Sequence, residues 1–248
     1  MKNFYRENKI YCGDFLEVRI YPVYETARSR GRKRKPTSEI QEKLNRDNSR
    51  KKLIRLLHTN FTCDDYELHL TYSDEHLPDN EAQAKKDIQN FIRRAKRFYA
   101  KHGIPELKYI SVTEKGEKST RIHHHITISG GVDRTELERL WGKGYANTKA
   151  LQFTNKGLAG LTHYITKQPL YFKRWNASKN LKKPIEVQSD YRISRKKAQQ
   201  FCDNFENREV FETMYPGYFF SECVPQHNEI NGGYYLTIQL YRKEARLL

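Results

Sequence analysis

Apolar and polar residues alternate with a period of two along Arg121-Ile122-His123-His124-His125-Ile126-Thr127-Ile128-Ser129, which predicts a strand with two unlike faces. Ile122, His124, Ile126 and Ile128 fall on one side, and His123, His125 and Thr127 on the other. The same period predicts strands over 65–72, 107–114 and 145–153. The second of these turns through Lys115-Gly116-Glu117-Lys118 to pair antiparallel with the histidine strand. Phe15 to Tyr24 also alternates and reads as an outer strand of that main sheet. Helical spacing is clearest from Glu81 to Lys101, where Ala84, Ile88, Phe91, Ile92, Ala95 and Phe98 form one stripe. The basic residues around that stripe, Lys85, Arg93 and Lys96 among them, read as a solvated face rather than a DNA site. Ser38-x-x-Gln41 opens a helix over 38–58, and Asp133-x-x-Glu136 a short one with Leu137, Leu140 and Trp141 inward. Further helices are predicted over 157–167, stopped by Pro169, and over 194–205. A hairpin of 218–224 against 234–242 turns through Asn231-Gly232-Gly233.

These elements predict an α+β fold: an antiparallel sheet of about five strands with helices on one face. Residues 1–60 supply a strand, a basic arm and a helix; 61–185 form the core; 186–248 add a helix and a β-hairpin. No internal repeat interrupts this order.

Charge narrows the partners. The formal net charge is +16, which implies an anionic partner, with nucleic acid ahead of an anionic membrane surface. Arg28 to Lys35 concentrates that charge in an arm suited to tracking phosphates, with Arg30, Arg32, Lys33 and Arg34 as candidate DNA contacts; a nuclear localisation signal reads the same way. No long apolar run and no leader peptide are evident, so a soluble, cytoplasmic protein that does not engage a membrane is expected. Cys12, Cys63, Cys202 and Cys223 lack C-x-x-C spacing and read as reduced thiols.

Side chains two residues apart on a strand stand roughly 6.6 Å apart at the backbone, close enough for two imidazoles to lean onto one metal ion. His123 and His125 are therefore candidate ligands, and His124 an inward-facing spacer. Glu114, nine residues before His123, is the candidate carboxylate ligand. Strict alternation sets Glu114 with Ile110 and Val112, the expected core face, so its use as a ligand predicts a bulge near Thr113. His69 and Thr71 share the face opposite Leu68 and Leu70, where they can contact substrate backbone or a metal-bound water, or play a structural part. Tyr164 is the one tyrosine with lysine at +3, and Lys167 lies one helical turn away on the same face. A phenol of pKa near 10 needs such help to attack phosphate at neutral pH.

Residues 68–78 (Leu68-His69-Leu70-Thr71-Tyr72-Ser73-Asp74-Glu75-His76-Leu77-Pro78), the His123/His125 pair and Tyr164 with Lys167 together resemble, in order, the three motifs of rolling-circle replication initiators of the HUH endonuclease superfamily. The resemblance covers roughly residues 60–185 and implies an RNA-recognition-like, ferredoxin-like nuclease core at 61–185. It also implies magnesium or manganese at His123, His125 and Glu114, and Tyr164 as the nucleophile that nicks and joins single-stranded DNA at a plasmid or phage origin, the origin presenting a hairpin. Thr71 and Arg121 complete the candidate DNA contacts. No second tyrosine stands three or four places from Tyr164, which favours the single-tyrosine class. No G-x-x-x-x-G-K-[ST] motif is present, so strand separation is expected from a partner helicase or from superhelical extrusion. A relaxase using Tyr5 or Tyr11, a single-tyrosine transposase, a metal-free single-strand binding module and a zinc-structured RNA-binding protein are the alternatives.

Overall fold

A computed structural model describes residues 3–24, 38–104, 106–115, 121–154, 157, 158, 160, 161 and 175–244. Along the chain come β1 (Asn3–Cys12), β2 (Phe15–Tyr24), α1 (Ser38–Asn60), β3 (Tyr66–Thr71), α2 (Glu81–Lys101), β4 (Tyr109–Lys115), β5 (Ile122–Ile128), α3 (Arg134–Arg139), β6 (Ala146–Ala150), β7 (Asn176–Ala177), β8 (Ile185–Ile193), α4 (Arg195–Asp203), α5 (Arg208–Met214), β9 (Tyr218–Asn228) and β10 (Gly233–Arg242). They group into two compact units, one of residues 1–48, 154–157 and 183–247, the other of 49–153 and 158–182. Each holds one five-stranded antiparallel sheet, so the α+β class read from the sequence is present. The predicted helix over 157–167 lies mostly outside the described residues.

In the second unit the strand order is β6-β3-β5-β4-β7. β5 pairs antiparallel with both β3 and β4, and α2 is the crossover that carries the chain from β3 to β4. α3 makes the equivalent crossover from β5 to β6, which pairs with β3. This is the β-α-β-β-α-β arrangement of a ferredoxin-like domain, with β7 added at the β4 edge. Asn80 caps α2 by accepting the Gln83 backbone N–H at 2.9 Å. The inward stripe of α2 (Ile88, Phe91, Ile92, Ala95) packs with Leu68, Leu70, Ile126 and Ile128 of the sheet and with Leu137 and Trp141. Burying each large apolar side chain contributes about 1.5–3 kcal/mol relative to exposure.

The first unit has the order β8-β1-β2-β10-β9. Gly13, at φ 61°, supplies the left-handed residue of the tight turn from β1 to β2. Phe15–Tyr24 is therefore not an outer strand of the main sheet, as its alternation suggested, but the central strand of this second sheet. A period of two specifies a strand and its faces, and says nothing about which strands it joins. Leu16, Val18, Ile20, Leu236, Ile238 and Leu240 form a core with Ala198, Phe201 and Phe211 of α4 and α5. Glu7 is buried beside that core and accepts the Tyr215 hydroxyl at 2.8 Å, with Arg192 and Lys9 at 3.5 and 3.6 Å. None of the four cysteines is joined in a disulfide. No described helix is long and apolar enough to cross a membrane.

Gly130, directly after β5, donates its N–H to Asp65 at 2.8 Å, and a Cβ there would fall 1.9 Å from the Asp64 carbonyl oxygen. Gly130→Ala is expected to lower stability by about 2 kcal/mol, because the obstacle is backbone that must itself move. Urea unfolding reads this directly, and an unchanged midpoint contradicts it.

Candidate metal centre

The register of three strands assembles the site. Across β5, His123 pairs with Thr71 of β3 and Glu114 of β4, while His125 pairs with His69 and Val112. Paired residues project to the same side of a sheet. One face therefore carries Glu67, His69, Thr71, His123, His125, Thr127, Ile110, Val112 and Glu114, and the other carries the core against α2 and α3.

The pairing of β4 with β5 runs without a register shift, so the bulge expected near Thr113 is absent. The parity that required it was right; the face given to Ile110 and Val112 was wrong. Both are buried at 1% exposure, yet they share the histidine face, so burial alone did not identify the helix-packed side.

On that face the Glu114 carboxylate lies 3.6 Å from His123 Nε2 and 3.6 Å from His125 Nε2. Two donors about 2.1 Å from one ion at tetrahedral angles stand roughly 3.4 Å apart. His69 joins them: its ring stacks on His125 at 4.7 Å and meets His123 edge-on at 5.2 Å. One nitrogen from each of His69, His123 and His125 lies within 4.8 Å of the others. The buried His69 Nε2 has no hydrogen-bond partner among the described residues, a state that a ligand would relieve. The donor set of three imidazoles and a carboxylate fits a divalent ion. Glu67 stands farther back, 3.9 Å from His125 Nδ1.

Burial, followed by the neighbouring imidazoles, pushes His125 down to about 3, and burial lowers His69 as well. Both rings are neutral at pH 7, the form in which imidazole donates its lone pair to a metal. The contact of Glu114 with His125 is therefore one of carboxylate with neutral imidazole, not an ion pair. His69 went unassigned as a ligand because its strand was read alone. The i, i+2 pattern of Glu67, His69 and Thr71 was visible, and only register brings it against His123 and His125.

His124, the inward spacer, is fully buried and holds both its ring nitrogens in hydrogen bonds: Nε2 with the Tyr72 hydroxyl at 2.9 Å and Nδ1 with the Thr113 hydroxyl at 2.8 Å. Tyr72 and Trp141 flank the ring at 5.6 Å each, and Trp141 Nε1 donates to the Thr71 carbonyl at 2.7 Å. This brace fixes β5 from behind, between the two strands that carry the other donors.

Thr71 lies beside His123 in register, and its hydroxyl donates to the Tyr145 carbonyl at 3.3 Å. Arg121 precedes β5, exposed, and pairs with Asp74 beyond β3. Tyr164, Lys167, Arg30, Arg32, Lys33 and Arg34 lie outside the described residues. Tyr5, weighed as an alternative nucleophile, is a core residue at 6% exposure whose hydroxyl accepts the Tyr234 N–H at 3.0 Å.

Burial holds His124 to about 3, below its ordinary 6.5. A depressed folded-state value means that the unfolded chain takes up the proton first, so the stabilisation is complete above pH 6.5 and is lost as pH falls toward 3. His124→Leu is expected to destabilise by about 1–3 kcal/mol, since two buried hydroxyls lose the imidazole as a partner, and to make the loss of melting temperature below pH 6.5 shallower. Thermal melting of both proteins across pH 4–8 checks the pair of effects.

Residues 65–169 match the family model described as replication-associated protein ORF2/gene II protein. No curated protein and no solved structure matches the chain significantly. The matched span takes in β3, Glu114 and both histidines of β5, and this similarity supports a role in the initiation of replication.

Proposed function

We propose that this protein is an HUH-type, single-tyrosine nuclease that nicks and rejoins single-stranded DNA at an origin, starting rolling-circle replication. The observation that carries the reading is the convergence of His69, His123, His125 and Glu114 on one sheet face of the unit similar to replication-associated proteins. A divalent ion, magnesium or manganese, would be held by those four residues and would supply Lewis-acid polarisation of the scissile phosphate.

The remaining chemistry belongs to the chain. The Tyr164 phenolic oxygen forms a bond to phosphorus as the bond to O3′ breaks, giving a 5′-phosphotyrosyl link. The phenolic proton passes to solvent, and the departing O3′ takes one up to become a hydroxyl. Lys167, on the same helical face in the sequence, offsets charge developing on the phosphate. Because the phosphotyrosyl link keeps phosphodiester bond energy, attack by a 3′-hydroxyl reverses the step and rejoins strands without ATP. Thr71 beside the histidines, Arg121 and the basic arm at Arg30, Arg32, Lys33 and Arg34 position the strand through its phosphates. A host helicase or an extruded origin hairpin presents that strand.

Incubation with an origin oligonucleotide and Mn2+ is expected to yield a covalent adduct on the peptide containing Tyr164, absent in Tyr164→Phe and abolished by EDTA. An undiminished adduct in Tyr164→Phe rejects the assignment, and strand binding without any cleavage points instead to a non-catalytic single-strand module. His69→Gln separates ligand from bystander: Mn2+ affinity, read by electron paramagnetic resonance, should fall at least about tenfold, and equal affinity removes His69 from the set.

A further inference from the structure

The reverse side of the same sheet carries a second feature. Between α2 and the β4–β7 edge runs a groove of two adjoining stretches, about 360 and 590 Å3, which meet at Lys96, Tyr109 and Ala177. Its floor includes Ser111 and Thr113, which alternate with the residues of the histidine face and so point away from it. The groove thus lies across the sheet from His123 and His125.

Its walls are strongly cationic. Lys85, Arg93 and Lys96 line it from α2, and Lys179 from beyond β7, all four exposed. Lys85, Gln89, Arg93 and Lys96 recur at spacings of four, four and three, the repeat that sets side chains in one row along a helix, and the row extends over ~16 Å. Glu106 is the one acid among the described lining residues, and the Asn180 amide donates to its carboxylate at 3.3 Å. Lys96 Nζ sits 5.9 Å from the centre of the Tyr109 ring, which forms the shared wall where the two stretches meet. The basic residues of α2, read from the sequence as one solvated face, therefore divide. Arg94 bonds the Leu140 and Trp141 carbonyls at 2.8 and 3.0 Å; Lys86, Arg97 and Lys101 stand exposed away from the groove; Lys85, Arg93 and Lys96 line it.

We infer that this groove is a second binding track for single-stranded DNA, holding the sugar–phosphate backbone of strand that lies outside the cleavage centre. Three considerations select that occupant. A row of cations with one engaged acid complements a polyanion, and the +16 charge of the chain has the same sign. The cations follow a line rather than a cluster, which suits a chain of phosphates better than a single anion. The site is a recess between a helix and a sheet edge, which admits one strand, whereas a duplex meets only its rim. An aromatic wall beside a cationic row is the combination that holds single strands without regard to sequence. The choice of DNA rests on the nuclease reading above; the groove and its charge do not.

The test is binding, carried out with the full-length protein in EDTA so that neither metal nor cleavage enters. Labelled oligothymidylate is titrated by fluorescence anisotropy at several salt concentrations. The variant Lys85→Gln/Arg93→Gln/Lys96→Gln is compared with Lys86→Gln/Arg97→Gln/Lys101→Gln, which removes the same charge from the same helix outside the groove. Loss of three phosphate contacts should make the slope of log K against log salt shallower by about 2 in the groove variant, at ~0.7 per contact, and by less than half that in the other. Equal changes in the two variants overturn the groove as a track, and no change in either does the same. A duplex of the same length whose slope falls as much as that of the single strand overturns the single-strand assignment. Failure of nicking under Mn2+ leaves these outcomes untouched, so the two readings are lost or kept separately.

Discussion

Register among β3, β5 and β4 is the constraint on which the candidate centre depends. His123 and His125 acquire neighbours only because β5 is held with Thr71 and His69 on one flank and Glu114 and Val112 on the other. Slipping any of these strands by one residue would rotate a donor to the helix side and bring an Ile or Leu forward. Enclosure of β5 on both faces makes that slip costly, and the His124 brace adds a polar lock at the point where the donors meet. A buried imidazole saturated by two hydroxyls is directional in a way that the usual apolar residue is not, so it specifies alignment as well as burial. The same enclosure that holds the strand desolvates His125 and His69 and keeps them as neutral donors.

How much of this was legible in the sequence follows from which terms are local. Alternation in 121–129 separated His124 from His123 and His125, and helical spacing located α2 with its inward stripe. The antiparallel hairpin joining β4 to β5 was likewise readable from the short polar turn. What failed was the step from a hydrophobic residue to a particular face. Ile110 and Val112 are apolar and buried, and were therefore set against the helices, whereas both sides of β4 are covered. His69 shows the same limit from the other side, because its meaning depends on a strand more than fifty positions away. Pairing partners are fixed by tertiary packing, and one sequence carries little trace of them. The central place of Phe15–Tyr24 in a separate sheet was hidden for that reason.

Charge divides similarly. A +16 total and a basic α2 identify an anionic partner, but composition gives the same weight to every lysine. Only packing distinguishes Arg94, whose guanidinium satisfies two carbonyls at the end of α3, from Lys85, Arg93 and Lys96 beside β4, and from the cations facing water. Equal residues on one helix thus serve structure, a cleft and solubility.

The first unit is built from segments far apart in the chain: β1 and β2 pair with β8 and β10, while residues 49–153 and 158–182 form the other unit in between. Closing so long an excursion carries a larger entropic cost than closing a hairpin. During synthesis β2 has no partner on its β10 side until Gly233–Arg242 has emerged, whereas every strand of the sheet that carries the histidines is already available by Ala177. The order of translation therefore lets the histidine-bearing sheet mature first, and leaves the β1–β2 hairpin waiting with an open edge, dependent on early shielding against premature strand pairing.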